Sequence, residues 1–208
     1  MKKSLILLIV AAFLFQGCAK IFYTPDARTL ASTQKIIAII PPKVSIAARK
    51  KVDGYALIEQ QKTESVNFQR EMYSWMLKRK MQGAIFVDIQ DVETTNAMLE
   101  NVGINNGQVL TPSEMCNILG VDGILTSNYS LSKPVSDGAA IAMAVFIGFL
   151  GRTNEAVASL SIHDSGSAKM IWNFDHKHSS AFGSPAKLVD DLMREASREM
   201  PYYTSVRN

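Results

Sequence analysis

The chain predicts an α/β domain, a mixed β-sheet of parallel strands plus a C-terminal antiparallel hairpin, with helices packed over it. Three observations carry this. The run Ile36-Ile37-Ala38-Ile39-Ile40, closed by Pro41-Pro42, has the pattern of a strand buried on both faces. Segments of helical and strand period then alternate, as in sheets joined by crossover helices. Finally, two stretches of period-two alternation flank Asp164-Ser165-Gly166, a turn sequence. The expected order is β-α-β-α-α-β, an apolar helix, then β-β-α, in one domain over residues 35–208 with an apolar insert at 138–151.

Each element has its own reason. After Ile40, residues 43–63 read as a long connection with a turn at Asp53-Gly54. Ser65 to Gln82 reads as a helix, because Val66, Met72, Tyr73, Met76, Leu77 and Met81 recur near helical spacing, and Gly83 suits its C-terminal cap. Ala84 to Ile89 is the second strand. Asp91 caps a helix to about Glu100. Thr111-Pro112-Ser113-Glu114 combines a capping box with proline at the first helical position. Gly120 ends that helix, and Gly123 to about Lys133 is the third strand. In the hairpin, a three-residue loop at 164–166 sets Ile162 opposite Ala168, Leu160 opposite Met170, Ala158 opposite Trp172 and Ala156 opposite Phe174. Gly166 would take the left-handed position. Ser184-Pro185 starts the last helix, with Leu188, Leu192, Ala196 and Met200 on one side, and Pro201 stops it.

The N-terminus, MKKSLILLIVAAFLFQGC, has a basic start and an apolar run too short to span a bilayer as a helix. It reads as a signal peptide over residues 1–17. Phe15-Gln16-Gly17-Cys18 resembles a bacterial lipobox, with Phe15 where leucine is commonest. The resemblance implies cleavage between Gly17 and Cys18 and lipidation, including palmitate, on Cys18. Residues 18–34 then read as the lipidated cysteine and a tether. Lys20, two residues past the cysteine, is not the aspartate that retains lipoproteins of the enterobacterial type at the inner membrane. This implies a lipid anchor in the outer membrane, facing the periplasm.

Without Lys2 and Lys3 the charge balance falls from 22 against 19 to near neutrality, which gives no support for nucleic-acid binding. Arg49-Lys50-Lys51 reads as a solvated loop. With Cys18 lipidated, Cys116 has no disulfide partner and sits among apolar neighbours, as a core thiol.

The IIAIIPP opening, the TPSEMCNILGVDGILTSNYSLSK block and the SLSIHDSGSAKMIWNF hairpin resemble a group of bacterial envelope proteins. The group comprises the curli-secretion channel lipoprotein, the lipoprotein activator of a penicillin-binding protein, a neisserial envelope lipoprotein family and the N-terminal domain of the Tol-system propeller protein. The resemblance covers most of residues 36–200. It implies the α/β plan and the cell envelope more firmly than a function.

The residues offer no catalytic constellation. His163 falls at the hairpin turn, while His176 and His178 fall at the far end of the same ladder, as solvated side chains. There is no G-x-S-x-G elbow, and Asp190-Asp191 diverge on successive helical positions. Prolines stand where a phosphate-binding glycine loop would follow the first strand. The expectation is a protein that is not an enzyme and needs no cofactor or metal. It would bind, assemble or regulate another envelope protein, or else form an oligomerising, membrane-inserting subunit of a secretion channel or pore.

Gly138 to Gly151 carries no charge. As a helix it would span about 21 Å, short of a roughly 30 Å hydrocarbon core. Ala140, Ala144 and Gly148 fall four apart in a small-residue stripe, and Val145, Ile147, Phe149 and Leu150 cover other sides. A helix over 139–150 is expected. It would be buried in its own domain, in a leaflet, in a partner or in a second copy, with Ala140, Ala144, Phe146, Gly148 and Phe149 as contact candidates. In the curli-channel group the comparable crossing carries a membrane-spanning hairpin.

Overall fold

A computed structural model describes residues 19–47, 54–104, 107–132, 155–178 and 185–204. Its elements are β1 (Lys20–Tyr23), α1 (Ala27–Thr33), β2 (Ile36–Ile39), β3 (Lys43–Ala47), α2 (Gly54–Met81), β4 (Asp88–Ile89), α3 (Val92–Asn101), α4 (Pro112–Leu119), β5 (Gly123–Ser132), β6 (Glu155–Asp164), β7 (Met170–His178) and α5 (Pro185–Glu199). The sheet runs β1-β7-β6-β5-β2-β4, with β3 also paired to β5. Strands β2, β3 and β4 are in parallel pairs, whereas β6, β7 and β1 pair antiparallel. The mixed α/β architecture is the one the sequence predicts.

Burial explains the layering. On one face, β5 presents Leu125, Tyr129 and Leu131 to α2 and α5, and Phe68 of α2 stacks on Tyr129 with ring centroids 4.3 Å apart. Ile37, Ile39, Trp172 and Phe174 join this core, with Leu188, Leu192, Met193 and Ala196 from α5. On the other face Ala38, Ile40 and Ile124 pack against Leu99, Met115, Cys116 and Leu119 of α3 and α4. Asp91 accepts from the Thr94 amide, and the Thr111–Glu114 capping box is complete. Gly120 takes the left-handed cap, at φ 65°.

Five differences from the sequence reading have physical causes. Residues 20–33, expected as tether, form β1 on the outer edge of β7 and helix α1, whose Ala27 and Ala31 are buried. The prolines do not end the first strand's path: Ile37 pairs with Gly123 and Lys43 with Asn128, so β2 and β3 track one edge of β5 with a one-residue slip between them. Proline costs no ladder bond there, because β4 pairs only Ile36 and Ile37. Helix α2 begins at Gly54 instead of Ser65. Its first turns carry exposed Tyr55 and Ile58, so they show no apolar period. The second strand is paired only at Asp88–Ile89, with a single bridge from Ile85 to Tyr203.

The hairpin register is the fifth. Ile162 faces Trp172, Leu160 faces Phe174 and Ala158 faces His176, a shift of four residues in β7 from the expected pairing. The inward face survives because the shift is even. The loop is wider than expected: the Asp164 amide donates to Lys169 O, and Asp164 Oδ2 accepts from the Ser167 amide and hydroxyl. Ala168 takes positive φ, 55°, and Gly166 does not. A bulge between Ile162 and His163 skips Ile171, so Ile171 and Trp172 are both fully buried while Met170, expected inward, is exposed.

Candidate functional site

The two ends of the sheet differ in construction. At the end where β5 begins, a buried polar network joins distant segments. Tyr202 donates to Gln34 Oε1, and Gln34 Nε2 donates to Asp164 Oδ1 at 2.6 Å. Asp122 Oδ2 accepts from the Lys35 and Ile36 amides at 2.7 and 3.0 Å, and its carbonyl accepts from the Ser165 amide. Burial pushes the Tyr202 phenol well above its ordinary range, so it stays a donor. A cavity of about 520 Å³ opens beside Gln34, Asp122, Asp164 and Ser167. Every buried polar group just named has its partner, so this closed end reads as a structural lock. Gly123 is part of it, since a Cβ there would lie 2.8 Å from Gln34 Oε1 and 2.9 Å from His163 O.

At the opposite, open end, β5 finishes at Ser132 opposite Glu155, where β6 begins. The 22 residues between them hold the apolar insert. Gly17, Cys18, Ala140, Ala144, Phe146, Gly148 and Phe149, the site candidates of the sequence, lie outside the described residues. What the fold places is the point from which each departs.

Beyond α3 and α4, no described helix covers the second face of the sheet. Asn128 and Ser130 of β5, Val157 of β6, Lys177 of β7 and Ser45 of β3 are exposed there. Asn173 Nδ2 lies 3.2 Å from Ser159 Oγ and 3.1 Å from Ser161 Oγ, a polar ladder across β6 and β7. Where this face meets the loop after α3, a groove of about 560 Å³ has Ile40, Leu99, Ile104 and Met115 on one side and Lys43, Asn128 and His163 on the other.

The histidines part company. His163 is in the groove wall, 3.2 Å from Thr126 Oγ1, and burial pushes its imidazole below the ordinary range. His176, expected in solvent, is buried against Phe174, with Nδ1 3.3 Å from Glu195 Oε2. The register shift produced this, by moving His176 under α5. His178 pairs with Ala156 at the open end. Among the described residues no three His, Cys, Asp or Glu side chains converge as a metal site. Cys116 is fully buried and its thiol is pushed up to about 11, which leaves it a poor nucleophile. No described helix is long and apolar enough to cross a membrane.

No protein-family model matches the chain. No curated protein matches it either. Among solved structures, the C-terminal domain of LpoB from Salmonella enterica aligns at 8% identity over 70% of this chain and 82% of that one, with a TM-score of 0.35. Lipoprotein GNA1162 from Neisseria meningitidis aligns at 14% identity over 79% and 96%, with a TM-score of 0.40. The PelC dodecamer from Paraburkholderia phytofirmans aligns at 7% identity over 91% and 100%, also with a TM-score of 0.40. These are distant likenesses, and the architecture rests on this chain's own coordinates.

Proposed function

We propose that the chain is a lipid-anchored protein of the bacterial cell envelope, held at the outer membrane and facing the periplasm. Its α/β domain would bind, assemble or regulate another envelope protein without catalysing a reaction. The observation that carries the anchor is the position of β1. The sheet takes up the chain at Lys20, two residues past Cys18, so cleavage at the lipobox-like sequence would fall just ahead of the folded domain. The open sheet face and the groove beside it offer the surface for a protein partner, being polar, wide and bounded by an apolar strip. Labelled palmitate supplied to growing cells tests the anchor. Label should enter the wild-type protein and be lost in Cys18→Ala, and an unlabelled wild type contradicts the reading.

One observation favours a second reading, a membrane-inserting oligomer subunit. The 133–154 connection leaves and rejoins a closed antiparallel pair, so it can enter lipid without opening the sheet. Cross-linking in intact membranes separates the two: a ladder of self-adducts supports the oligomer, and a single adduct with another protein supports the binding module.

A further inference from the structure

We propose that the partner protein is held by an extended segment of its chain, apolar and acidic, laid in the groove between β5 and the loop after α3, an inference that rests on the binding-module reading and adds the partner's chemistry. The first support is the floor. Ile40, Leu99 and Met115 form it as buried members of the second core, and Ile104 packs against them. At the lip stands Val109, 91% exposed, an apolar side chain held in water beside an apolar floor. A ligand that covers the lip and the floor removes both from water.

The opposite wall is polar and stepped. Thr126 and Asn128 of β5 lie two residues apart on one face, about 7 Å, the repeat at which an extended peptide presents like-facing amides. His163 of β6 stands level with Ile124, one more two-residue step along. Its Nε2 is engaged with Thr126 Oγ1, and Nδ1 has no partner among the described residues. The exposed Asn128 amide is also unengaged among the described residues. From Asn128 to Ile124 the wall is about 13 Å long, the length of about four extended residues. A hydrocarbon chain or a single ring would leave these groups dry and unpaired, whereas the amides and carbonyls of a peptide pair with them.

Charge sets the sign of the segment. Lys43 is level with Asn128, at the end of the wall away from His163. It is exposed and has no ion-pair partner among the described residues. No Asp or Glu is among the described residues that line the groove, so Lys43 makes it electropositive. A carboxylate at one end of the segment answers that cation, whereas a basic segment meets repulsion there. The hollow on the far side of Pro41, of about 550 Å³, is different. It has both Lys62 and Glu100 in its lining, so it selects neither sign.

The test screens the full processed chain against displayed heptapeptides of random sequence. Wild type should enrich sequences with alternating apolar residues and an Asp or Glu at one end. An enriched peptide, made with a fluorescent label, should bind in anisotropy titrations. Lys43→Glu should weaken that peptide about ten-fold and shift the selection toward Lys or Arg at the same place. Val109→Asp should weaken it as well, and Lys169→Glu at the closed end should leave it unchanged. All three positions are exposed, and circular dichroism checks that each variant is folded. Enrichment of no sequence, or a peptide indifferent to both groove variants, overturns the proposal. Self-association that is lost in Lys43→Glu, with no peptide enriched, assigns the groove to a second copy and overturns it too. A membrane cross-link to another protein that survives both groove variants shows a partner docked elsewhere, so the binding-module reading stands while the groove proposal fails. A wild type that forms no adduct with another protein defeats the binding-module reading itself.

Discussion

The closed and open ends of the sheet are made of the same strands but solve different problems. At the closed end, four segments distant in sequence are tied by side chains: Gln34 after α1, Asp122 before β5, Asp164 at the hairpin and Tyr202 after α5. At the open end the described strands stop at Ala47, Ser132, Glu155 and His178, and the connections 48–53, 133–154 and 179–184 lie outside the described residues. A sheet closed at one end keeps its register when the other end is occupied by something else. The difference teaches where stability and where interaction should reside.

Substitutions sharpen that contrast. The largest effect is expected from Trp172→Ala, which empties a fully buried site under α5 and should cost about 3–5 kcal/mol in denaturant unfolding. Asp164→Ala comes next. It strips the acceptor from Gln34 Nε2 and from both Ser167 donors, at about 1–3 kcal/mol for an orphaned buried donor. Gly123→Ala should cost about 1–3 kcal/mol, because its Cβ meets the His163 carbonyl, which cannot give way without moving β6. If Asp164→Ala proves neutral, the closed end is not a lock.

Glu64 gives a smaller, pH-dependent effect. It is buried on α2 one turn before Phe68, with Oε2 unpartnered, and burial raises its carboxyl above the ordinary range, against a lowering hydrogen bond from Asn67. The fold favours the neutral form. The stability this contributes is present in acid and is lost as pH rises through the raised folded value. Glu64→Gln should therefore match wild type in acid and exceed it at neutral pH, as read from unfolding midpoints. The smallest effect is expected from replacing residues 138–151 by a short Gly-Ser bridge. The Ser132–Glu155 pair should persist, and stability should change by no more than about 1 kcal/mol. A global loss of folding would place the apolar stretch in the core instead.

What was legible in the sequence follows the same division. Strand β2, the α3 and α4 caps and the inward face of the hairpin were readable because burial and capping impose a local signature on adjacent residues. The tether assignment for 18–34 failed because β1 is a four-residue edge strand whose partner among the described residues, β7, lies far off in sequence, with Lys20 opposite Asp175. β3 was hidden behind Pro41-Pro42, which mark a stop in most strands but here stand where no outer neighbour needs their amides. The hairpin slipped by four because Asp164–Ser167 side-chain bonding and the Ile171 bulge set the turn, and neither leaves a periodic trace. The closed-end network was invisible for a different reason. Gln34, Asp122, Asp164 and Tyr202 are unremarkable residues until the fold brings them together.

The proposed anchor at Cys18, two residues ahead of β1, sets an orientation that can be measured directly. Single cysteines introduced for fluorescent labelling at Lys177, near the open end, and at Gly166, in the closed-end turn, compete with no reactive native thiol once Cys18 is acylated, because Cys116 is buried. In the lipidated protein reconstituted into vesicles, a headgroup-borne quencher should strongly quench a probe at 177 and leave one at 166 bright. Stronger quenching at 166, or none at either position, would contradict an open end lying against the membrane.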